Sequence, residues 1–195
     1  MMPLILASAS PRRSQLLRSA GIEFVVLPAH VNELDAEHLT PHETAQINAH
    51  RKARALAKRH PDALVLGADT VVCVGSRQFG KPANLADARR FLGELQGRTH
   101  EVVTGVCLLR QRRHEECLFA VSTLVTLRRL TPVAIRDYLS LANPLDKAGA
   151  YGIQEHGHLI VEALDGSYSN VVGLPVNEVL AVLEGWPAQA PGAHR

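Results

Sequence analysis

An α/β fold is predicted by two features of this 195-residue sequence. Short apolar runs alternate along its length with segments whose apolar residues recur at helical spacing. Three of those segments open on Ser-Pro or Thr-Pro and a fourth on Asn, the residues that start helices. With 46% hydrophobic and 21% charged residues the composition is that of an ordinary globular protein, which excludes disorder, collagen and coiled coil as descriptions of the whole chain. At this length one domain is expected, able to bury a core without disulfides or a structural metal.

The elements follow in order. Residues 4–7 read as a short buried strand. Ser10-Pro11 offers an N-cap and a proline at the first helical position, Leu16, Leu17 and Ala20 give the helix its apolar face, and Gly21 closes it. Residues 24–27 read as a second strand, and 29–39 as a polar, acidic loop. Thr40-Pro41-His42-Glu43 is a capping box opening a long helix with Ala45, Ala49, Ala53, Leu56 and Ala57 inward. Residues 63–74 form the longest apolar strand, interrupted by Gly67-Ala68-Asp69-Thr70. Asn84 caps a helix with Ala88, Phe91, Leu92 and Leu95 on one face. Residues 102–109 and 118–127 read as a strand pair around a charged turn, 110–116. Thr131-Pro132 starts a helix to about Leu141, residues 158–161 read as a strand, and 175–183 as a final helix with Val179, Leu180 and Leu183 inside. The domain is expected to span residues 1–186, with a Pro-, Ala- and Gly-rich tail, 187–195, disordered.

The formal net charge of +2 is too small to argue for a nucleic-acid or membrane partner. Cys73, Cys107 and Cys117 have no CxxC spacing and read as buried reduced thiols. No run approaches the roughly 18 apolar residues of a membrane span, and the N-terminus lacks the basic region of a secretory signal. A cytoplasmic protein is expected.

Three motif matches fail. Residues 75–81 fill the first seven positions of a P-loop, but Pro82 stands where a Ser or Thr must bind Mg²⁺, and proline has no N–H to give a phosphate; a hairpin turn is expected instead. His100-Glu101 begins like a zinc-protease helix but has no second His. His156 and His158 would share a strand face, but no third ligand is evident.

What remains has one chemical sense. Ser8, Arg12 and Arg13 lie where a strand turns into a helix N-terminus, a place that favours anions. Arg12, Arg13, Lys52 and Lys81 are cations suited to a polyphosphate. Glu33 and Asp69 are carboxylates suited to Mg²⁺, and Asp69 sits inside an apolar run where it must be paired. This is the set needed for metal-assisted attack of water on phosphorus. Taken in isolation, the loops 146–152 and 166–170 read as ordinary solvated connections.

The segments LASASPRR (6–13), LGADTVV (66–72), GKP (80–82), DKAGAYGIQ (146–154) and NVVGLP (170–175) together resemble the Maf family of septum formation inhibitor-like proteins, which are nucleoside triphosphate pyrophosphatases. The resemblance implies a single α/β domain of two lobes around a mixed, curved sheet with a deep central cleft, related to inosine triphosphate pyrophosphatases. It implies hydrolysis of a nucleoside triphosphate between the α and β phosphates, a divalent metal (Mg²⁺ or Mn²⁺), and a homodimer. In the family the residue matched by Asp69 is the proton acceptor; those matched by Ser8, Arg12, Arg13, Glu33, Lys52 and Lys81 lie in the substrate and metal site. Arg12, Thr70 and Gln154 match the branch acting on dTTP and UTP; the 7-methyl-GTP branch has Trp, Gln and Glu there. The family's usual Asp-Glu is Asn32-Glu33 here, and its usual Glu before Pro144 is Asn143, so metal affinity is expected to be lower. The rival readings are a nucleotide-binding regulator of septum formation without turnover, and a 7-methyl-GTP or purine-type editing enzyme.

Overall fold

A computed structural model describes residues 4–34 and 38–186. The expected tail, 187–195, lies outside the described residues. Within them, β1 (Leu4–Leu6), α1 (Pro11–Ser19), β2 (Phe24–Val26), α2 (Pro41–Ala57), β3 (Val65–Val74) and β4 (Arg77–Phe79) lead into α3 (Leu85–Leu95). Then come β5 (Thr99–Arg110), β6 (Glu115–Leu127), α4 (Pro132–Leu141), β7 (Val161–Asp165), α5 (Tyr168–Val172) and α6 (Val176–Glu184). The strands form one mixed sheet in the order β2-β1-β3-β5-β6-β7, with β4 also paired to β3. β1 is parallel to β2 and β3, and the remaining pairs are antiparallel.

The long strands carry a core near each end. Val72, Val102 and Val125 pack with Leu92 and Leu95 of α3 and Tyr138 of α4. Toward the other end, Leu66, Val106 and Leu108 pack with Leu17 of α1 and Val179 of α6. α2 lies across β3 and β5 through small residues, Ala45, Ala49 and Ala53, all fully buried. Its capping box forms as expected: the Thr40 hydroxyl accepts from Glu43 N, and the Glu43 carboxylate accepts from Thr40 N.

One edge of β3 explains where the cleft lies. β1 pairs with β3 only as far as Leu66, and β4 begins pairing at Val72. Between them the strand pairs with no other strand on that side among the described residues, and Asp69 and Thr70 sit in the gap.

Several expectations change. β3 is continuous through Gly67-Ala68-Asp69-Thr70, because β5 pairs with every residue of that stretch. Ser10 occupies the N-cap position of α1 but makes no capping bond; its N–H instead donates to Ser8 Oγ. The charged turn shrinks to a 3-10 turn, Gln111–Arg113, since the Arg110–Glu115 ion pair at 3.2 Å holds both residues in the hairpin. Residues 157–159 are a 3-10 turn and not a strand; the strand is Val161–Asp165, an edge strand in which Glu162, Ala163 and Asp165 are exposed. His156 and His158 are therefore exposed turn residues, with rings 6.2 Å apart. The loop expected at 166–170 contains the start of α5, capped by Ser167 Oγ accepting from Asn170 N. The hairpin in place of a P-loop is found, its turn at Gly75 and Ser76. Cys73 and Cys107 are buried free thiols, and Cys117 is half-buried. No helix among the described residues is long and apolar enough to cross a membrane.

Candidate active site

The gap along β3 opens into a cleft of about 690 Å³. It is lined by Ser8, Arg12, Arg13, Glu33, Lys52, Asp69, Thr70, Lys81 and Gln154, all expected from the sequence in the site; Asn32 and Asn143 are not in its lining. They come from the turn after β1, α1, the loop before α2, α2 itself, β3, and the segments after β4 and α4.

Asp69 is 7% exposed, and its charge is met on both oxygens. Oδ1 accepts from Lys52 Nζ at 2.7 Å, and Oδ2 from Asn48 Nδ2 at 3.2 Å. The same ammonium reaches Glu33 Oε1 at 2.6 Å. A buried carboxylate is tolerated only when charge-paired and hydrogen-bonded in this way. Glu33 is held below the usual carboxylate range: partial burial alone would raise it, but the hydrogen bond and charge of Lys52, then the charges of Lys81 and Arg13, outweigh that.

Lys52 reaches this position because it belongs to the buried stripe of α2. Ala45, Asn48, Ala49, Lys52, Ala53 and Leu56 recur at helical spacing and all face the sheet. Asn48, missed in the sequence, also clamps the preceding loop: Leu34 N donates to its Oδ1 at 2.7 Å, and its Nδ2 donates to Leu34 O at 3.0 Å. Its place one turn before Lys52 in an otherwise apolar stripe was the available sign.

Arg13 is a second buried cation of the cleft, and all its hydrogen-bond acceptors are neutral. Nε donates to Gly173 O at 2.7 Å, and the two terminal nitrogens to Ser8 Oγ at 3.1 Å and Thr70 Oγ1 at 3.0 Å. Burial lowers its pKa, opposed by the charges of Asp69 and Glu33. Thr70 continues the network to Thr104 at 3.0 Å, and Thr104 donates to Asn170 O. Arg12, by contrast, pairs with Asp146 Oδ2 at 2.7 Å. Lys81 and Gln154 are exposed at the cleft.

Among the described residues no group of three or more His, Cys, Asp or Glu side chains could hold a metal by itself. Glu33 and Asp69 nevertheless place two carboxylate oxygens within reach of one nitrogen, close enough to share a cation. The Lys52 ammonium sits between those two oxygens, so a hard divalent ion completing its shell with phosphate and water would be held by the carboxylates from another side.

The chain is 48% identical over 185 residues to a dTTP/UTP pyrophosphatase of Moorella thermoacetica, covering 93% of this chain and 95% of that protein. It is 45% identical over 195 residues to the dTTP/UTP pyrophosphatase of Symbiobacterium thermophilum, covering 99% and 100%. A HAM1 protein from Coxiella burnetii shares the fold, with a TM-score of 0.52 at 17% identity over 95% of this chain and 100% of that one. The family model described as Maf-like protein matches residues 3–186, across both cores and every wall of the cleft, and the chain belongs to that family.

Proposed function

We propose that this chain hydrolyses dTTP and UTP between the α and β phosphates, releasing the monophosphate and pyrophosphate. Relatives at 45–48% identity are named dTTP/UTP pyrophosphatase. The observation that carries the reading is the Asp69–Lys52–Glu33 cluster lying in the same cleft as Arg13.

Arg13 and the uncapped N-terminus of α1 bind phosphate oxygens, with Ser8 orienting the guanidinium. Water attacks the α phosphorus, and its proton passes to the Asp69 carboxylate. Lys52 and Asn48 fix the plane of that carboxylate from either side. The bond from the α phosphorus to the bridging oxygen breaks, and its electron pair leaves with pyrophosphate, whose charge Lys81 neutralises. Lys52, one of the cations expected from the sequence to suit a polyphosphate, orients the two acids in this reading, bonded as it is to both. Glu33 and Asp69 would hold Mg²⁺ or Mn²⁺, which when bound supplies neutralisation of phosphate charge. Arg12, Thr70 and Gln154 set preference for the pyrimidine base, the neutral Gln154 amide being able both to donate and to accept at a uracil or thymine edge.

A pyrophosphate-release screen of dTTP, UTP, CTP, GTP and 7-methyl-GTP with Mg²⁺ and Mn²⁺ tests this. Release is expected first from dTTP and UTP. Tight nucleotide binding with no release would leave a regulator of septum formation instead. The homodimer belongs to the same proposal, and sedimentation of the purified chain checks it.

A further inference from the structure

Lys147 lines the cleft, yet its side chain is only 4% exposed. Its ammonium is saturated by three acceptors: Asn143 O at 2.6 Å, Asp146 Oδ1 at 2.7 Å and Glu155 Oε1 at 2.8 Å. The aliphatic stem crosses Gly152 so closely that a Cβ built there would stand 2.7 Å from Lys147 Cε. Glu155 closes the ring by accepting from Asn143 N at 3.1 Å. The segment from Asn143 to Glu155 is thus wound around one buried cation.

Two neighbours of this knot matter. The second oxygen of Asp146 accepts from Arg12 Nη1 at 2.7 Å, and its main-chain oxygen accepts from Arg12 Nη2 at 3.3 Å. Its carboxyl is held below the ordinary range: burial would raise it, and hydrogen bonds from Lys147 and Arg12 prevail. Gln154 directly precedes Glu155. One ammonium therefore tethers Arg12 and Gln154, from opposite ends of the sequence, to a common point.

We infer that Lys147 is a positioning residue for base recognition: through Asp146 and Glu155 it sets the placement of Arg12 and Gln154 at the cleft. The inference rests on the pyrimidine nucleotide reading given above. A flexible, solvated loop would leave both groups free to rotate, and discrimination between bases needs polar groups fixed in advance. Asp146, which pairs with Arg12, belongs to the same segment as Gln154.

The test compares kcat and KM for UTP and GTP in the wild type, Lys147→Met and Glu155→Gln. Lys147→Met keeps the stem over Gly152 and removes the charge. It is expected to lower the UTP-over-GTP preference in kcat/KM on the order of tenfold, mainly through a higher KM for UTP, while kcat changes less. Glu155→Gln, at the exposed rim of the knot, is expected to shift the same ratio in the same direction by a smaller factor, and it decides the matter if Lys147→Met does not fold. An unchanged ratio in a folded Lys147→Met variant, or in Glu155→Gln where the first is unfolded, overturns the inference alone. A wild type inactive on UTP overturns the functional reading beneath it.

Discussion

A Cβ placed on Gly67 of β3 would lie 2.2 Å from the Ala49 carbonyl oxygen of α2, and 2.8 Å from Ala53 N. The helix backbone rests on the strand backbone with no side chain between them. Gly105, on the neighbouring strand, meets Ala45 just as closely. This contact sets the height of Lys52 and Asn48 over Asp69, so the chemistry of the cleft depends on two hydrogen atoms in place of methyl groups.

Gly67→Ala must push α2 off the sheet. A destabilisation of about 1–3 kcal/mol or more is expected, with pyrophosphate release falling further than stability because Lys52 and Asn48 are displaced together. Denaturant unfolding and activity measured on the same preparation check this.

Asp69→Asn keeps the volume and removes the proton acceptor. Turnover should fall by about 10²–10⁴, and by more where binding of the metal is lost as well. The circular dichroism spectrum should be unchanged. Hydrolysis near the wild-type rate would remove Asp69 from the reaction.

Lys52→Met leaves a buried carboxylate without its cation, a change that costs about 3–5 kcal/mol in comparable pairs. Combining it with Asp69→Asn removes the stranded charge as well. The double variant should therefore be more stable than Lys52→Met alone, and urea midpoints of the four proteins measure the difference.

His100 is 2% exposed, and burial lowers its pKa from 6.5 to about 4. Its Nε2 lies 2.7 Å from the Tyr151 hydroxyl. The folded chain keeps this ring neutral while the unfolded chain protonates near pH 6.5, so protons favour unfolding below that pH. The loss begins near pH 6.5, grows as pH falls, and levels off below about pH 4, reaching about 3 kcal/mol in full. The stability of His100→Gln should lack this slope; equal slopes in the two proteins would show that His100 is not its source.

Much of this was legible in the sequence, because helix starts, apolar stripes and turn residues are local properties. The capping box at Thr40, the cap at Asn84 and the face of α3 need only neighbours a few residues away. The segment 158–161 misled for the opposite reason: an apolar run marks burial, whereas an edge strand is defined by its partner, here residues 124–127 of β6.

Residue types and their order alone determined that this chain is an α/β protein with the cations and carboxylates of a phosphate site, since those follow from what each side chain is. Tertiary structure decided which cation meets which acid. Lys52 joins Asp69 across 17 residues and Arg12 joins Asp146 across 134, whereas Arg13 is left with neutral partners. Electrostatic pairing falls off with distance in space and is indifferent to distance along the chain, so only the packing of α2 and of the Lys147 loop could assign it.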